Sequence, residues 1–109
     1  MSLLFFILKY QKMNLANKID SDQLTMINFH ASWCGPCIAM KPHLDQTIRN
    51  YGKAIHYERV DIDQNPGLAE IFEIRGVPTT MLFKKGQMKW RHSGVLSSEQ
   101  LTEIVNKNL

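Results

Sequence analysis

Two cysteines, Cys34 and Cys37, stand three positions apart and are the only thiols in this 109-residue sequence. They belong to Trp33-Cys34-Gly35-Pro36-Cys37, which follows the apolar run Leu24–Phe29 after three residues. A helix opening there would present unpaired N–H groups and roughly half a positive charge. A thiolate at that end is stabilised, so its pKa falls and it becomes a nucleophile near neutral pH. Pro36 suits a first turn, where its missing N–H would have no partner anyway. Gly35 lets another backbone come close. Cys37 lies one turn on, within reach of Cys34 for a disulfide or a transfer step. Cys34, nearer the helix start and solvent, is expected to attack, and Cys37 to resolve.

These thiols need a strand to end just before them and a helix to begin at Cys34. The near-continuous apolar run Leu24–Phe29 reads as a central strand buried on both faces. A helix is expected from Cys34 to about Asn50, with Cys37, Met40, Leu44 and Ile48 on one face and a kink at Pro42. Upstream, Leu3–Leu8 reads as a strand and Tyr10–Ile19 as a weakly patterned helix. Downstream come a strand over Ala54–Val60 and a short helix with Asn65 as N-cap and Pro66 at its first position. Gly76-Val77-Pro78 breaks that helix. Thr79–Phe83 and Met88–His92 form an antiparallel hairpin about the turn Lys84–Gln87. Ser97 caps the last helix, with Gln100 completing a capping box and Leu101, Ile104 and Val105 on its buried stripe. The order β-α-β-α-β-α-β-β-α predicts an α/β fold, a mixed five-stranded sheet flanked by four helices.

Length and composition narrow the function classes. The chain is the size of one domain, residues 1–109, with about two-thirds of its surface available for burial. Two cysteines exclude a disulfide scaffold. A net charge of +3 is too mild for the basic stripe of a nucleic-acid binder. The local cluster Lys84, Lys85, Lys89, Arg91 and His92 reads as a solvated hairpin face. The apolar run Leu3–Leu8 lacks a preceding basic residue and is too short for a membrane span. The expected location is therefore the reducing cytoplasm, with no membrane partner and a monomeric state.

The WCGPC segment and most of the chain resemble the thioredoxin family. The resemblance extends to Pro42, Asp63-Gln64-Asn65-Pro66-Gly67, Ile74-Arg75-Gly76-Val77-Pro78-Thr79, Phe83-Lys84-Lys85-Gly86 and Gly94. It covers Leu24–Leu109 well and the preceding residues only in element order. It implies a thioredoxin fold and a protein-disulfide reductase cycling between a Cys34/Cys37 dithiol and its disulfide, with no bound cofactor and no metal. The implied partners are disulfide-containing client proteins and a flavin-dependent, NADPH-driven thioredoxin reductase. Gly-Pro between the cysteines resembles the reducing branch, with a potential of about −270 mV. By the same resemblance Pro78 is expected to be cis. It would set the Val77 backbone beside Cys34 to pair with a client strand. Trp33, Gly35, Pro36, Gly76, Val77, Pro78 and Gly94 would form the docking rim.

Two positions depart from the family. Asn28 stands where typical members carry a buried Asp that serves the resolving cysteine, and an amide cannot titrate. Arg59 matches the family's nearby Lys. His30 replaces an aromatic residue and lies on the same strand face as Asn28. It titrates near neutral pH and is a candidate relay, against the plainer reading of a packed His. Arg59 likewise has a plainer reading as a solvated strand-end charge. His30, Cys34, Cys37 and His43 superficially resemble zinc spacing, but a strand followed by a helix spreads them apart. A binding module with little or no turnover is the alternative to a reductase.

Overall fold

The computed structural model describes Leu3 and residues 14–109. Four strands and four helices are present among them. Helix α1 covers residues 14–20. Strand β1 is Thr25–His30, α2 is Gly35–Tyr51 and β2 is His56–Asp61. Helix α3 is Pro66–Ile71, followed by β3 (Thr79–Lys84), β4 (Gln87–Ser93) and α4 (Ser98–Asn108). The sheet order is β2-β1-β3-β4, with β1 parallel to β2 and antiparallel to β3, and β3 antiparallel to β4. The described sheet thus has four strands where the sequence predicts five. Of the expected first strand, Leu3 is helical and exposed, and the remainder lies outside the described residues.

The sheet carries a core on each face because side chains alternate along a strand. Met26 of β1 and Leu82 of β3 pack with Met40 and Leu44 of α2 and Leu101 and Val105 of α4. Ile27, Phe29, Met81 and Phe83 point the other way, toward Leu15 of α1 and Leu68 and Phe72 at α3. Burial on both faces is why β1 and β3 read as near-continuous apolar runs. Each fully buried large side chain contributes about 1.5–3 kcal/mol, which is how two thin layers hold a sheet of this size.

Local signals set the element ends. Ser97 Oγ accepts the Gln100 N–H at 3.2 Å, and Gln100 Oε1 accepts the Ser97 N–H at 2.9 Å, the expected capping box. Helix α2 runs unbroken through Pro42. A 3₁₀ turn over Gly52–Ala54 delays β2 to His56, two residues later than the sequence predicts. Asn65 occupies the N-cap of α3, but its side chain makes no cap bond. It turns back to donate to the Asp61 carbonyl at 3.0 Å. The β3–β4 turn places Lys85 and Gly86 at φ of 53° and 78°. Its N–H groups close on the end of α1, Lys85 on Ser21 O and Gly86 on Ile19 O, both at 2.9 Å.

Candidate redox site

β1 ends at His30, and four residues later Cys34 is the N-cap of α2 with Pro36 in its first turn. Cys34 and Cys37 form a disulfide across Cα atoms 5.3 Å apart. The Cys37 N–H donates to Cys34 Sγ at 3.2 Å. A thiolate at Cys34 would keep that donor and sit at the positive end of a 17-residue helix. Cys37 is the deeper of the two, 1% exposed against 4% for Cys34. Ala31 packs on the pair, with Ile62 and Val77 at its margin. This apolar floor is not marked in the sequence, because Ala31 and Ile62 look like any core residues.

A second segment meets this centre. The Val77–Pro78 bond is cis, and the Val77 carbonyl oxygen lies 3.6 Å from Cys34 Sγ. The Gly94 N–H donates to the Pro78 carbonyl at 2.9 Å. Thr79 Oγ1 donates to the Gly76 carbonyl at 2.6 Å and meets Ser93 Oγ at 2.9 Å. Gly76, Val77, Pro78 and Gly94 are thereby brought to the cysteines by β3 and β4. Trp33, Gly35, Pro36 and Gly76 are exposed, and Val77 and Gly94 are half-buried. Pro78 is buried, so it lies beneath the expected rim rather than in it. A Cβ at Gly35 or Gly76 would meet nothing within 4 Å, so both glycines face open space. Trp33 Nε1 donates to Asp63 Oδ2 at 2.8 Å, a partner thirty residues away that sequence reasoning did not assign to the site.

Asn28 and Arg59 form a separate buried arrangement. Asn28 is fully enclosed. Its amide nitrogen donates to Thr80 Oγ1 at 3.0 Å, and its oxygen accepts from Arg59 Nε at 3.3 Å. Arg59 is therefore a half-buried partner in mid-strand, not a solvated strand-end charge. Its guanidinium also borders a groove of about 630 Å³ with His30, Asp61 and Gln64. None of the groove-lining residues is a cysteine. Burial first, and Arg59 second, hold the His30 imidazole below its ordinary value, with Asp61 pulling the other way. His30 is thus predominantly neutral at pH 7. Among the described residues no three His, Cys, Asp or Glu side chains gather as metal ligands. No helix among them is long and apolar enough to cross a membrane.

Comparison with known proteins gives a consistent result. The Thioredoxin family model matches residues 6–107. A thioredoxin of Acidithiobacillus ferridurans is 34% identical over 91 residues, 84% of either chain. Thioredoxin 1 of Chlorobaculum tepidum is 36% identical over 87 residues, covering 80% of this chain and 86% of its own. The solved thioredoxin of Fasciola hepatica superposes with a TM-score of 0.81 at 26% identity, over 93% of this chain and 94% of its own.

Proposed function

The chain belongs to the thioredoxin family and is a thiol–disulfide oxidoreductase, and from that footing we propose that it runs in the reducing direction, opening disulfides of client proteins. The observation that carries Cys34 as the attacking thiolate is its placement at the N-cap of α2 with the Cys37 N–H directed at its sulfur, and the Gly35-Pro36 pair between the cysteines supports the reducing direction. In the reduced protein the Cys34 thiolate attacks one client sulfur. The client S–S bond breaks, the other client sulfur leaves as a thiolate, and a mixed disulfide forms. Cys37, after losing its proton, attacks Cys34 Sγ. The second client sulfur leaves, and the Cys34–Cys37 disulfide remains. Two electrons have passed to the client, which takes up two protons as its thiols form.

The redox group is the cysteine pair itself, so the proposal calls for no bound cofactor. A flavin-dependent, NADPH-driven thioredoxin reductase would return the pair to the dithiol. The Val77 backbone is assigned to pairing with an extended client segment, and the exposed Trp33, Gly35, Pro36 and Gly76 to the docking rim around it. A monomer in the cytoplasm is the setting we assign, since a reductase works against oxidised clients where thiols are kept reduced.

The test is reduction of insulin disulfides by the wild type, Cys34→Ser and Cys37→Ser. The wild type should turn over. Cys34→Ser should be inert, and Cys37→Ser should accumulate the mixed disulfide after a single attack. A well-folded wild type without turnover would leave a binding module in place of the reductase.

A further inference from the structure

The loop between α3 and β3, residues 72–78, is held at both ends by β4 and the glycine that follows it. At its far end the ties are Gly94 to Pro78 and Ser93 to Thr79. At its near end a single side chain reaches across. Arg91 Nη1 donates to the Phe72 carbonyl at 2.7 Å, and Nη2 donates to the Glu73 carbonyl at 2.9 Å.

Those two carbonyls lie where α3 closes. The Ile74 N–H bonds Ala69 O at 2.9 Å and the Glu73 N–H bonds Glu70 O at 3.0 Å, the paired bonds of a Schellman turn. Such a turn favours glycine at its left-handed position, but here Glu73 occupies it at φ 52°. The turn is therefore strained by its own sequence and gains from an outside hold. A guanidinium fork meets two adjacent carbonyls with two separate nitrogens held in one plane, which a single ammonium nitrogen does not offer. Its charge also faces the negative end of the helix. Phe72 is fixed on its other side by its ring, 5.4 Å from Phe29 and 5.8 Å from Phe83. Five residues beyond Phe72, Val77 brings its carbonyl to Cys34.

We propose that Arg91 is a positioning residue for client docking: by clasping the Phe72 and Glu73 carbonyls it fixes residues 73–77, so that the Val77 backbone stands ready beside Cys34. This rests on the reading that the site reduces protein disulfides. Arg91 bonds neither cysteine, so its action falls on binding rather than on sulfur chemistry. A loop that occupies its docking position only part of the time lowers apparent affinity by that fraction. A small disulfide that needs Cys34 alone is indifferent to the loop.

Arg91→Met keeps the aliphatic stem and removes both donors. Arg91→Lys keeps the charge without the fork. Steady-state reduction of insulin and of 5,5′-dithiobis(2-nitrobenzoate) compares a docked client with a small one. Arg91→Met should raise the insulin KM about fivefold, the equivalent of one net hydrogen bond. Its kcat and its rate on the small disulfide should hold, and Arg91→Lys should fall between. An unchanged insulin KM, or equal slowing on both substrates, overturns the proposal. Amide exchange of residues 74–77 in the oxidised protein gives a readout that needs no turnover. It should quicken in Arg91→Met while β1 stays protected, and unchanged exchange also overturns the proposal. If the wild type fails to reduce insulin, the reductase reading falls, and the exchange result decides the role of Arg91 by itself. If Arg91→Met does not fold, Arg91→Lys decides: a wild-type KM and wild-type exchange in that variant sink the idea.

Discussion

Arg59 Nε donates to the Asn28 side-chain oxygen at 3.3 Å, across the parallel register that sets the two residues side by side on β2 and β1. The nitrogen of the same amide is taken up by Thr80 on the antiparallel neighbour β3. A buried polar side chain needs partners at both ends, and Asn28 has them. The arrangement is satisfied but cannot exchange a proton. A carboxylate at this position would keep Arg59 as its partner and become titratable.

Asn28→Asp is therefore expected to speed the resolving step at Cys37 and to add an ionisation to the pH profile of client reduction. A well-positioned general base contributes about 10²–10⁴-fold, so even a poorly aimed one should raise the rate several-fold. Single-turnover reduction followed across neutral pH measures both effects. An unchanged rate and profile would remove residue 28 from proton handling.

His30 supplies a second pH dependence, this time of stability. Burial, then Arg59, lowers its folded-state pKa from 6.5, with Asp61 opposing. The unfolded chain takes up its proton near about pH 6.5. Between that value and the lower folded one, the unfolded state binds more protons, so stability rises with pH. The contribution is complete above the unfolded value and is lost as pH falls through the folded one. His30→Gln removes this titration. Its Tm should fall less steeply than the wild type's between about pH 7.5 and pH 5. Parallel curves would mean that His30 titrates as it does in the unfolded chain.

The sequence was most legible where the causes are local. The thiol pair at a strand-to-helix junction, the Ser97 capping box and the β3–β4 turn each rest on residues within a few positions of one another. Near-continuous apolar runs also revealed β1 and β3, which are buried on both faces. What escaped was long-range bonding to backbone. Arg91 read as part of a solvated basic face because its acceptors are carbonyls 18 and 19 residues away, which have no side-chain signature. Arg59 was ambiguous for a related reason: only the β1–β2 register reveals that its neighbour is Asn28. Asn65 was legible in position but not in bonding. It does occupy the N-cap that its type suggests, but its side chain donates to the Asp61 carbonyl and makes no cap bond.

Trp33 is 68% exposed, yet its indole is tethered to Asp63. So exposed a side chain contributes little to the fold, and exposed substitutions usually stay within about 0.5 kcal/mol. A rigid aromatic beside the cysteines is nevertheless the kind of residue that carries interface energy. Trp33→Ala should leave Tm within about 3 °C of wild type and raise the insulin KM about fivefold. Melting curves and steady-state kinetics together check this. A wild-type KM would take Trp33 out of the docking surface.

Gly94 carries a cost of a different kind. Its φ is 125°, a conformation that L side chains rarely adopt, and its N–H holds the Pro78 carbonyl. A Cβ there would meet His92 Nε2 at 3.4 Å, a contact at the end of a side chain that can move aside. The backbone angle cannot be relieved so easily. Gly94→Ala should cost about 1–3 kcal/mol, lowering Tm by about 4–12 °C on a chain of this length. Where alanine draws the backbone toward a commoner φ, the N–H turns off Pro78 and the docking loop loses its tie to β4. The insulin KM should then rise while the small-disulfide rate holds. Adding His92→Ala separates the two causes, because it clears the contact without restoring the angle. The double variant should melt as low as Gly94→Ala alone, and recovery of the wild-type Tm would assign the cost to His92 instead of the backbone.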